Sequence, residues 1–165
     1  MKNIICISTG SVYKIEEDMN KKLELLKQFP CDGIELNFAF ARDLKDFSIN
    51  QNNLEFLRQK RITIHAPWKD ISYGRNPNCK ETLDTLRKLY TQLNAELVNV
   101  HQHEEADLSV FNDYDLNVTV ENDDWKRGLR TPEEVIRVLE QHPNFGFTYD
   151  FAHAYSISPP LTIAF

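Results

Sequence analysis

The chain has 165 residues, of which 41% are hydrophobic and 27% are charged, a balance typical of one soluble globular domain, and no apolar run is long enough to cross a bilayer. Its 25 acidic and 19 basic side chains give a net charge of −6, which disfavours a basic nucleic-acid-binding protein. The three cysteines are widely spaced and form no Cys-x-x-Cys pair, so we expect reduced thiols in a cytoplasmic protein.

Six short β-rich segments alternate with helical patterns along the chain, which predicts a parallel sheet joined by right-handed crossovers. The predicted strands are Ile4–Ser8, Gly33–Phe38, Arg61–His65, Leu97–His101, Asn117–Glu121 and Gly146–Asp150. The predicted helices are Ile15–Phe29, Gln51–Gln59, one that begins at the N-cap Asn78, and one that Thr131 caps ahead of Pro132. The link between the fourth and fifth strands has room for only one or two helical turns, near Leu108 and Phe111.

The end of the sequence has the pattern of one more helix. Ser158 suits an N-cap, the two prolines after it suit a first helical turn, and residues 161–165 follow. We therefore expect a single domain, 1–165, whose last helix is cut short.

Histidines gather where the predicted strands end. Four of the five fall at or just past the carboxyl end of a strand, namely His65, His101, His103 and His153. Parallel strands all end at one edge of the sheet, and α/β proteins build their sites at that edge. We therefore expect these imidazoles to lie near one another.

Alternation along the strands separates a polar face from an apolar one. The polar face carries Glu35, Asn37, Thr63, His65, Asn99, His101, Asn117, Thr119, Glu121, Thr148 and Asp150. The intervening residues are apolar, so we expect them to pack against helices while the polar face lines an interior or a cleft.

Imidazole and carboxylate groups that converge from neighbouring strands suit a divalent cation such as Zn²⁺ or Mn²⁺. The predicted ligands are His65, His101, Glu121 and Asp150. Glu121 is also the candidate catalytic residue, because a carboxylate there could move a proton. We expect His153 on the loop after the sixth strand, over the same opening.

Several of these residues also have a structural interpretation. A histidine at a strand end is commonly hydrogen-bonded without binding a ligand, and His103 lies past its strand beside two glutamates. Trp68 could wall a substrate pocket or cover the rim of the sheet. Glu35 could contact a substrate or fill the interior. Cys79 has no base predicted beside it, so we expect it to be inert.

Five segments at the predicted strand ends follow one another in order: Gly33-Ile34-Glu35-Leu36, Ile64-His65-Ala66-Pro67, Val98-Asn99-Val100-His101, Val120-Glu121-Asn122 and Asp150-Phe151-Ala152-His153-Ala154. Together they resemble the xylose isomerase-like TIM-barrel superfamily. That group includes sugar-phosphate isomerases and epimerases and the endonuclease IV type of AP endonuclease. The resemblance implies a TIM-barrel-like (β/α) fold, here an incomplete barrel with about six parallel strands of the usual eight.

The resemblance also implies roles for individual residues. It makes His65, His101, Glu121 and Asp150 metal ligands or neighbours of a metal, and it gives His153 a contact to substrate or to a further metal. The chain departs from the family at Gln102-His103, where Pro-Gly is common. It also lacks the seventh and eighth strands, which carry a histidine and a glutamate in the family.

Three functions are compatible with these features. The first is a metal-dependent sugar or sugar-phosphate isomerase or epimerase, inactive if the missing strands are required. In it Glu121 transfers a proton beside a metal-polarised carbonyl, while His153, Glu35 and Trp68 contact the substrate. The second is a zinc phosphodiesterase like endonuclease IV acting on abasic DNA, which the net charge of −6 disfavours.

The third is a non-catalytic barrel remnant. An open sheet of six strands exposes two edges, so we also expect a homo-oligomer that covers them.

Overall fold

The computed structural model describes residues 4–103, 106–123, 129 and 131–157. Strands and helices alternate through these residues. In chain order the elements are β1 (Cys6–Ser8), a 3₁₀ turn (Thr9–Val12), α1 (Met19–Leu26), β2 (Gly33–Asn37), α2 (Ala41–Asp46), α3 (Gln51–Leu57), β3 (Arg61–His65), α4 (Pro77–Leu93), β4 (Leu97–His101), a second 3₁₀ turn (Leu108–Asp113), β5 (Val118–Glu121), α5 (Pro132–Gln141), β6 (Gly146–Thr148) and α6 (Phe151–Ile157).

The six strands form one parallel sheet in the order β1-β2-β3-β4-β5-β6, so each strand pairs with its neighbour in sequence. Sequential parallel strands joined by helices are the arrangement of a TIM barrel. Within the described residues β1 and β6 do not pair, and the sheet stays open. The predicted incomplete barrel of six strands is therefore confirmed.

The inner strands match the sequence prediction more closely than the edge strands do. β3 and β4 have the predicted bounds, whereas β1 and β6 are shorter, because an edge strand is paired on one side only. Asp150 leaves the sheet for a specific reason: the side chain of Asn122 accepts its backbone N–H at 2.7 Å.

Side-chain caps set where the longer helices begin. Thr131 forms the predicted capping box: its hydroxyl accepts the backbone N–H of Glu134, and the Glu134 carboxylate accepts that of Thr131. The predicted cap of α4 at Asn78 is wrong by two residues. The side chain of Asn76 accepts the N–H of Cys79 instead, and the proline that follows Asn76 takes the first helical position.

Other helices depart from expectation in place or length. α1 begins at Met19 and not at Ile15, because Asp18 caps it by accepting the N–H of Lys21. α2 is not predicted from the sequence, since it has six residues and no side-chain cap. The predicted helix within 158–165 lies outside the described residues.

The two faces of the sheet differ as the alternation predicts. The side chains directed at the helices are apolar and 0–3% exposed: Ile34, Leu36, Ile62, Ile64, Val98, Val100, Val118 and Val120. They share one core with Leu83 and Leu86 of α4 and with Val135 and Val138 of α5. The polar residues between them lie on the opposite face. Throughout the described ranges, no helix has the length and apolar character needed to cross a membrane.

Candidate metal centre

The strand register places the candidate ligands side by side at the carboxyl edge of the sheet. His65 pairs with Asn99 across β3 and β4, and His101 pairs with Glu121 across β4 and β5. Thr148 follows in register with Glu121 on β6. Residues in register on parallel strands point to the same face, so the two imidazoles and the carboxylate share the polar side.

His65, His101 and Glu121 form a tight group, the inner cluster. The Nε2 atoms of the two histidines are 3.1 Å apart. Oε2 of Glu121 lies 3.3 Å from Nε2 of His65 and 3.9 Å from Nε2 of His101. All three side chains are buried, with 5–6% of their surface exposed. The structure thus brings together three of the four predicted ligands through their donor atoms.

A backbone carbonyl sets the orientation of the His65 ring. Nδ1 of His65 lies 3.0 Å from the carbonyl oxygen of Ala66, which can only accept a hydrogen bond. Nδ1 therefore carries the proton, and in the neutral ring Nε2 presents its lone pair to the inner cluster. This is the tautomer in which an imidazole binds a metal through Nε2.

The inner cluster favours a protonated His65 and an ionised Glu121. Burial lowers the pKa of His65, but the hydrogen bond to Glu121 and the negative charges of Glu35 and Glu121 outweigh it and raise the pKa above 6.5. Burial raises the pKa of Glu121, but its hydrogen bonds to His65 and Asn99 and the charges of His65 and His101 outweigh it. The pKa of Glu121 falls from 4.5 to about 2. Glu121 is thus ionised at neutral pH.

A chain of hydrogen bonds behind the inner cluster holds Glu121 in place. The amide of Asn99 donates to Oε2 of Glu121. Thr119 Oγ1 donates to Oδ1 of Asn99 at 3.2 Å, and Thr148 Oγ1 donates to Oγ1 of Thr119 at 2.8 Å. The chain crosses three adjacent strands, which explains why these polar residues occupy inward positions of the sheet.

Glu121, Asp150 and His153 form a second group, the outer cluster. Nδ1 of His153 lies 3.6 Å from Oε1 of Glu121 and 3.9 Å from Oδ2 of Asp150. Asn122 connects the members of this group. Its side-chain amide donates to the backbone carbonyl of Asp150, and its backbone carbonyl oxygen lies 2.9 Å from Nδ1 of His153. The two oxygens of Glu121 therefore face different clusters.

His153 lies on α6, and the expectation that it sits on a loop is wrong. The reason is local, because Oδ1 of Asp150 accepts the backbone N–H of His153 at 2.8 Å, as an N-cap does. The cap starts a helix directly after the sixth strand. It also holds the His153 ring one turn from the carboxylate of Asp150.

The donor atoms of the inner cluster fit a divalent cation. With His65 protonated on Nδ1, its Nε2 lone pair and the ionised carboxylate of Glu121 repel each other in a buried space that Nε2 of His101 also faces. A proton or a cation between them relieves that repulsion. In the described part of the chain, groups whose ligand atoms lie within 4.8 Å of one another include the inner cluster, the outer cluster, and His101 with Asp123 and His153.

A cleft of about 1150 Å³ opens onto both clusters. The half-buried ring of Trp68 lies in it, with its centroid 4.7 Å from that of His65 and 5.6 Å from that of His101. Glu35 also lines the cleft. His103 lies behind the wall, and its Nε2 is 3.1 Å from the carbonyl oxygen of Trp68, so it supports the Trp68 segment.

Asp123 and Asn99 are site residues that the strand-end criterion does not single out. Asp123 is 2% exposed, and its Oδ2 lies 3.3 Å from Nδ1 of His101. The available signal is its place two residues after Glu121, just past the end of β5. Asn99 lies two residues before His101 on β4, so alternation predicts that it faces the same polar side. Alternation does not predict its hydrogen bond to Glu121.

No known protein-family profile matches this sequence, and a search of curated proteins finds no match. The solved structures that share its fold include the following two. Endonuclease IV from Thermus thermophilus has a TM-score of 0.59 and 14% identity, over 92% of this chain and 63% of that one. A xylose isomerase-like TIM barrel/4-hydroxyphenylpyruvate dioxygenase fusion protein has a TM-score of 0.57 and 20% identity, over 88% of this chain and 26% of that one.

This chain therefore spans less than two thirds of either structure. At such identities the likeness is one of fold. The chain shares its fold with these two structures.

Proposed function

We propose that this chain, with the fold of the xylose isomerase-like TIM barrels, is a divalent-metal-dependent enzyme that hydrolyses a phosphodiester next to a sugar, as on abasic DNA. The observation that carries the proposal is the inner cluster, in which two imidazole nitrogens and one carboxylate oxygen meet within 3.9 Å. Two histidines and a glutamate are a ligand set of catalytic zinc sites, which keep one position open for water or substrate.

The inner cluster would hold one cation through His65, His101 and Glu121. The outer cluster would hold a second through Asp150 and the other oxygen of Glu121. His153 would take part only through Nε2, because its Nδ1 donates to the backbone carbonyl of Asn122. The two imidazoles of the inner cluster favour Zn²⁺, whereas the carboxylates of the outer cluster also suit Mn²⁺. A divalent cation in such a site polarises a substrate oxygen and lowers the pKa of water.

The charge state of Glu121 favours hydrolysis over isomerisation. A general acid or base works best when its pKa lies near the operating pH. The pKa of Glu121 is about 2, so this carboxylate stays ionised; it accepts from Asn99 and, when the His65 ring is protonated on both nitrogens, from Nε2 of His65. It is suited to bind a cation and poorly suited to carry a proton between substrate carbons.

The walls of the cleft supply the remaining functions. Trp68 lies beside both imidazoles and offers an aromatic face on which a sugar ring can pack. The cleft is lined by three basic side chains, Lys22, Arg42 and Lys69, and by more acidic ones: Glu17, Asp18, Glu35, Asp43, Asp46, Glu121 and Asp150. The three basic groups could bind a phosphate locally despite the acidic net charge.

The sugar or sugar-phosphate isomerase or epimerase remains a second candidate, and the outer cluster favours it. Glu121 and Asp150 both approach His153 there, and two carboxylates could hold a cation against a hydroxy-carbonyl group. Glu35 is a further carboxylate in the same cleft, placed to contact substrate.

The first test is metal content. Protein purified without chelator is expected to contain at least about one equivalent of Zn or Mn, and His101→Ala and Glu121→Ala are expected to lose it. His142→Ala, at the end of α5, is the matched histidine control and should retain the metal. Folded wild-type protein without metal, or metal content unaffected by the cluster variants, would contradict the proposed site.

The second test is the reaction. We expect the metal-loaded protein to cleave a DNA duplex at an abasic site, and His101→Ala to be inactive. Solvent deuterium entering a ketose phosphate without strand cleavage would favour the isomerase instead. A metal-loaded protein with neither activity would match the non-catalytic remnant and overturn the proposal.

A further inference from the structure

The Nδ1 atom of His101 is a buried ring nitrogen that faces a carboxylate. His101 is 6% exposed, and among the residues that the structure describes its Nδ1 has no hydrogen-bond partner of good geometry. Oδ2 of Asp123, which is itself 2% exposed, lies 3.3 Å away. A buried imidazole nitrogen normally has a partner, so the approach of a carboxylate to this atom requires an explanation.

The two histidines of the inner cluster are oriented by different means. In His65, the carbonyl of Ala66 keeps the proton on Nδ1 and leaves Nε2 free. A carboxylate facing Nδ1 of His101 can do the same. Both rings would then present Nε2 to the same space, where those two atoms lie 3.1 Å apart.

We propose that Asp123 is a positioning residue that holds the proton of His101 on Nδ1 and so directs the Nε2 lone pair into the inner cluster. This inference rests on the proposed metal site and deepens it. Such a carboxylate behind a ligating histidine commonly contributes ~10–100-fold to metal affinity.

The backbone keeps Asp123 in place. Its N–H donates to the carbonyl of Leu129 at 2.7 Å, and the preceding residue, Asn122, is bound to Asp150 through both its amide oxygen and its amide nitrogen. Asp123 also follows Glu121 by two residues. One short segment thus provides a ligand oxygen for the cluster and the group that orients a second ligand.

Asp123 could instead be a ligand itself, since ligand atoms of His101, Asp123 and His153 lie within 4.8 Å of one another. That arrangement would use Nδ1 of His101. Nε2 of the same ring could then bind a cation in the inner cluster only if the imidazole lost both protons. The positioning role needs no such deprotonation, and the two roles predict different metal stoichiometry.

The test compares Asp123→Ala and Asp123→Asn with Asp115→Asn, which removes an exposed carboxylate from the segment before β5. Competition with a chromophoric chelator measures the affinity for Co²⁺ or Zn²⁺. We expect Asp123→Ala to weaken binding ~10–100-fold at unchanged stoichiometry, and Asp123→Asn to lie between, because its amide oxygen still accepts. Asp115→Asn should match the wild type.

A second measurement needs no metal. Nitrogen-15 NMR of the histidine rings in the metal-free protein should show the proton of His101 on Nδ1, and Asp123→Ala should move it towards Nε2. The His65 ring is the internal control and should not change. If Asp123→Ala does not fold, Asp123→Asn, of nearly the same shape, provides both readouts.

The outcomes separate the inference from the proposed function. Unchanged affinity and an unchanged His101 tautomer in a folded variant would overturn the inference. A loss of one bound cation without a tautomer change would also overturn it, because Asp123 would then be a ligand. A tautomer shift in a protein that binds no metal would support the positioning role and reject the proposed function.

Discussion

Glu121 is the residue on which both clusters depend. One of its carboxylate oxygens faces the two histidines of the inner cluster, and the other faces His153. Its ionised state is maintained by His65 on β3 and by Asn99 and His101 on β4. Changes at this position should therefore affect cation binding and the stability of the metal-free fold together.

Glu121→Gln should make the metal-free protein less sensitive to acid. The pKa of Glu121 is about 2 in the fold, against an ordinary value of 4.5. A lowered pKa stabilises the fold above pH 4.5, and that contribution is lost as the pH falls towards 2. Urea unfolding across this range should show a steeper loss of unfolding free energy in the wild type than in the variant.

The exposed Glu55→Gln is the control for this measurement and should follow the wild type. Parallel pH profiles for Glu121→Gln and the wild type would mean that His65 and His101 do not stabilise the ionised carboxylate.

Metal affinity should rise with pH as His65, whose pKa is raised, loses its proton. His65 must be neutral at Nε2 to bind a cation, and its raised pKa means that a proton competes for the site at neutral pH. In the metal-free protein the same raised pKa stabilises the fold at low pH, and this contribution is lost as the pH rises through it. Calorimetric titration with Zn²⁺ in buffers of different ionisation enthalpy would count the protons released. Affinity independent of pH would contradict this assignment.

Among single residues, the sequence identifies those whose position follows from the end of a strand. His65, His101 and Glu121 are the last residues of β3, β4 and β5, and the structure brings them together. Asp123 lies past the end of its strand, where alternation no longer predicts a direction. Its approach to His101 depends on the path of the backbone past β5, which no local pattern specifies.

At the level of elements, the β/α units depend on the packing of amphipathic helices over the apolar face of the sheet. α4 is the longest helix described, and six of its residues are buried. The helix ends at Asn94, which adopts the left-handed conformation that closes many helices. This packing holds β3 and β4, and with them the two histidines of the inner cluster, in register.

Leu86→Ala should test the packing of α4. Leu86 is fully buried, so the substitution should lower the free energy of unfolding by ~2–5 kcal/mol. The exposed Lys88→Ala on the same helix should change it by less than ~0.5 kcal/mol. Urea denaturation followed by circular dichroism measures both. Equal effects of the two substitutions would mean that α4 does not pack on the sheet through Leu86.

Elements with strong local signals are predictable, as is the seven-residue α3, whereas short helices without such a signal are not. The capping box at Thr131 places the start of α5 correctly because it depends on residues three apart. α2 and α6 have six and seven residues, too few for a hydrophobic period to stand out. The start of α2 depends on Asp70, far along the chain, whose Oδ1 accepts the N–H of Ala41.

At the scale of the whole molecule, the open sheet leaves apolar side chains exposed near both edges. Beside β1, Ile4 and Ile5 are 51% and 61% exposed, and on α6, after β6, Phe151 and Tyr155 are 69% and 60% exposed. Large exposed apolar groups beside an open strand favour association with another chain.

We therefore expect the chain to self-associate in a concentration-dependent way, which sedimentation velocity can measure. Phe151→Lys should reduce the association by placing a charge in the patch. Ile136→Lys, on the outer face of α5, replaces another exposed apolar side chain and is the matched control. A monomer at all concentrations, or equal effects of both substitutions, would contradict an edge-mediated contact.

The sequence by itself determined the alternation of strands and helices, the two faces of the sheet and the edge at which polar residues gather. These features follow from periods of two and of about 3.6 residues and from caps, which act over a few positions. Only the tertiary structure decided which atoms meet: Nε2 of His65 with Nε2 of His101, 36 residues away, and Asp123 behind that second ring. It also placed His153 on a helix and held Glu121 ionised. Ring orientation and pKa depend on distances and burial between strands far apart in the chain, and no local pattern encodes them.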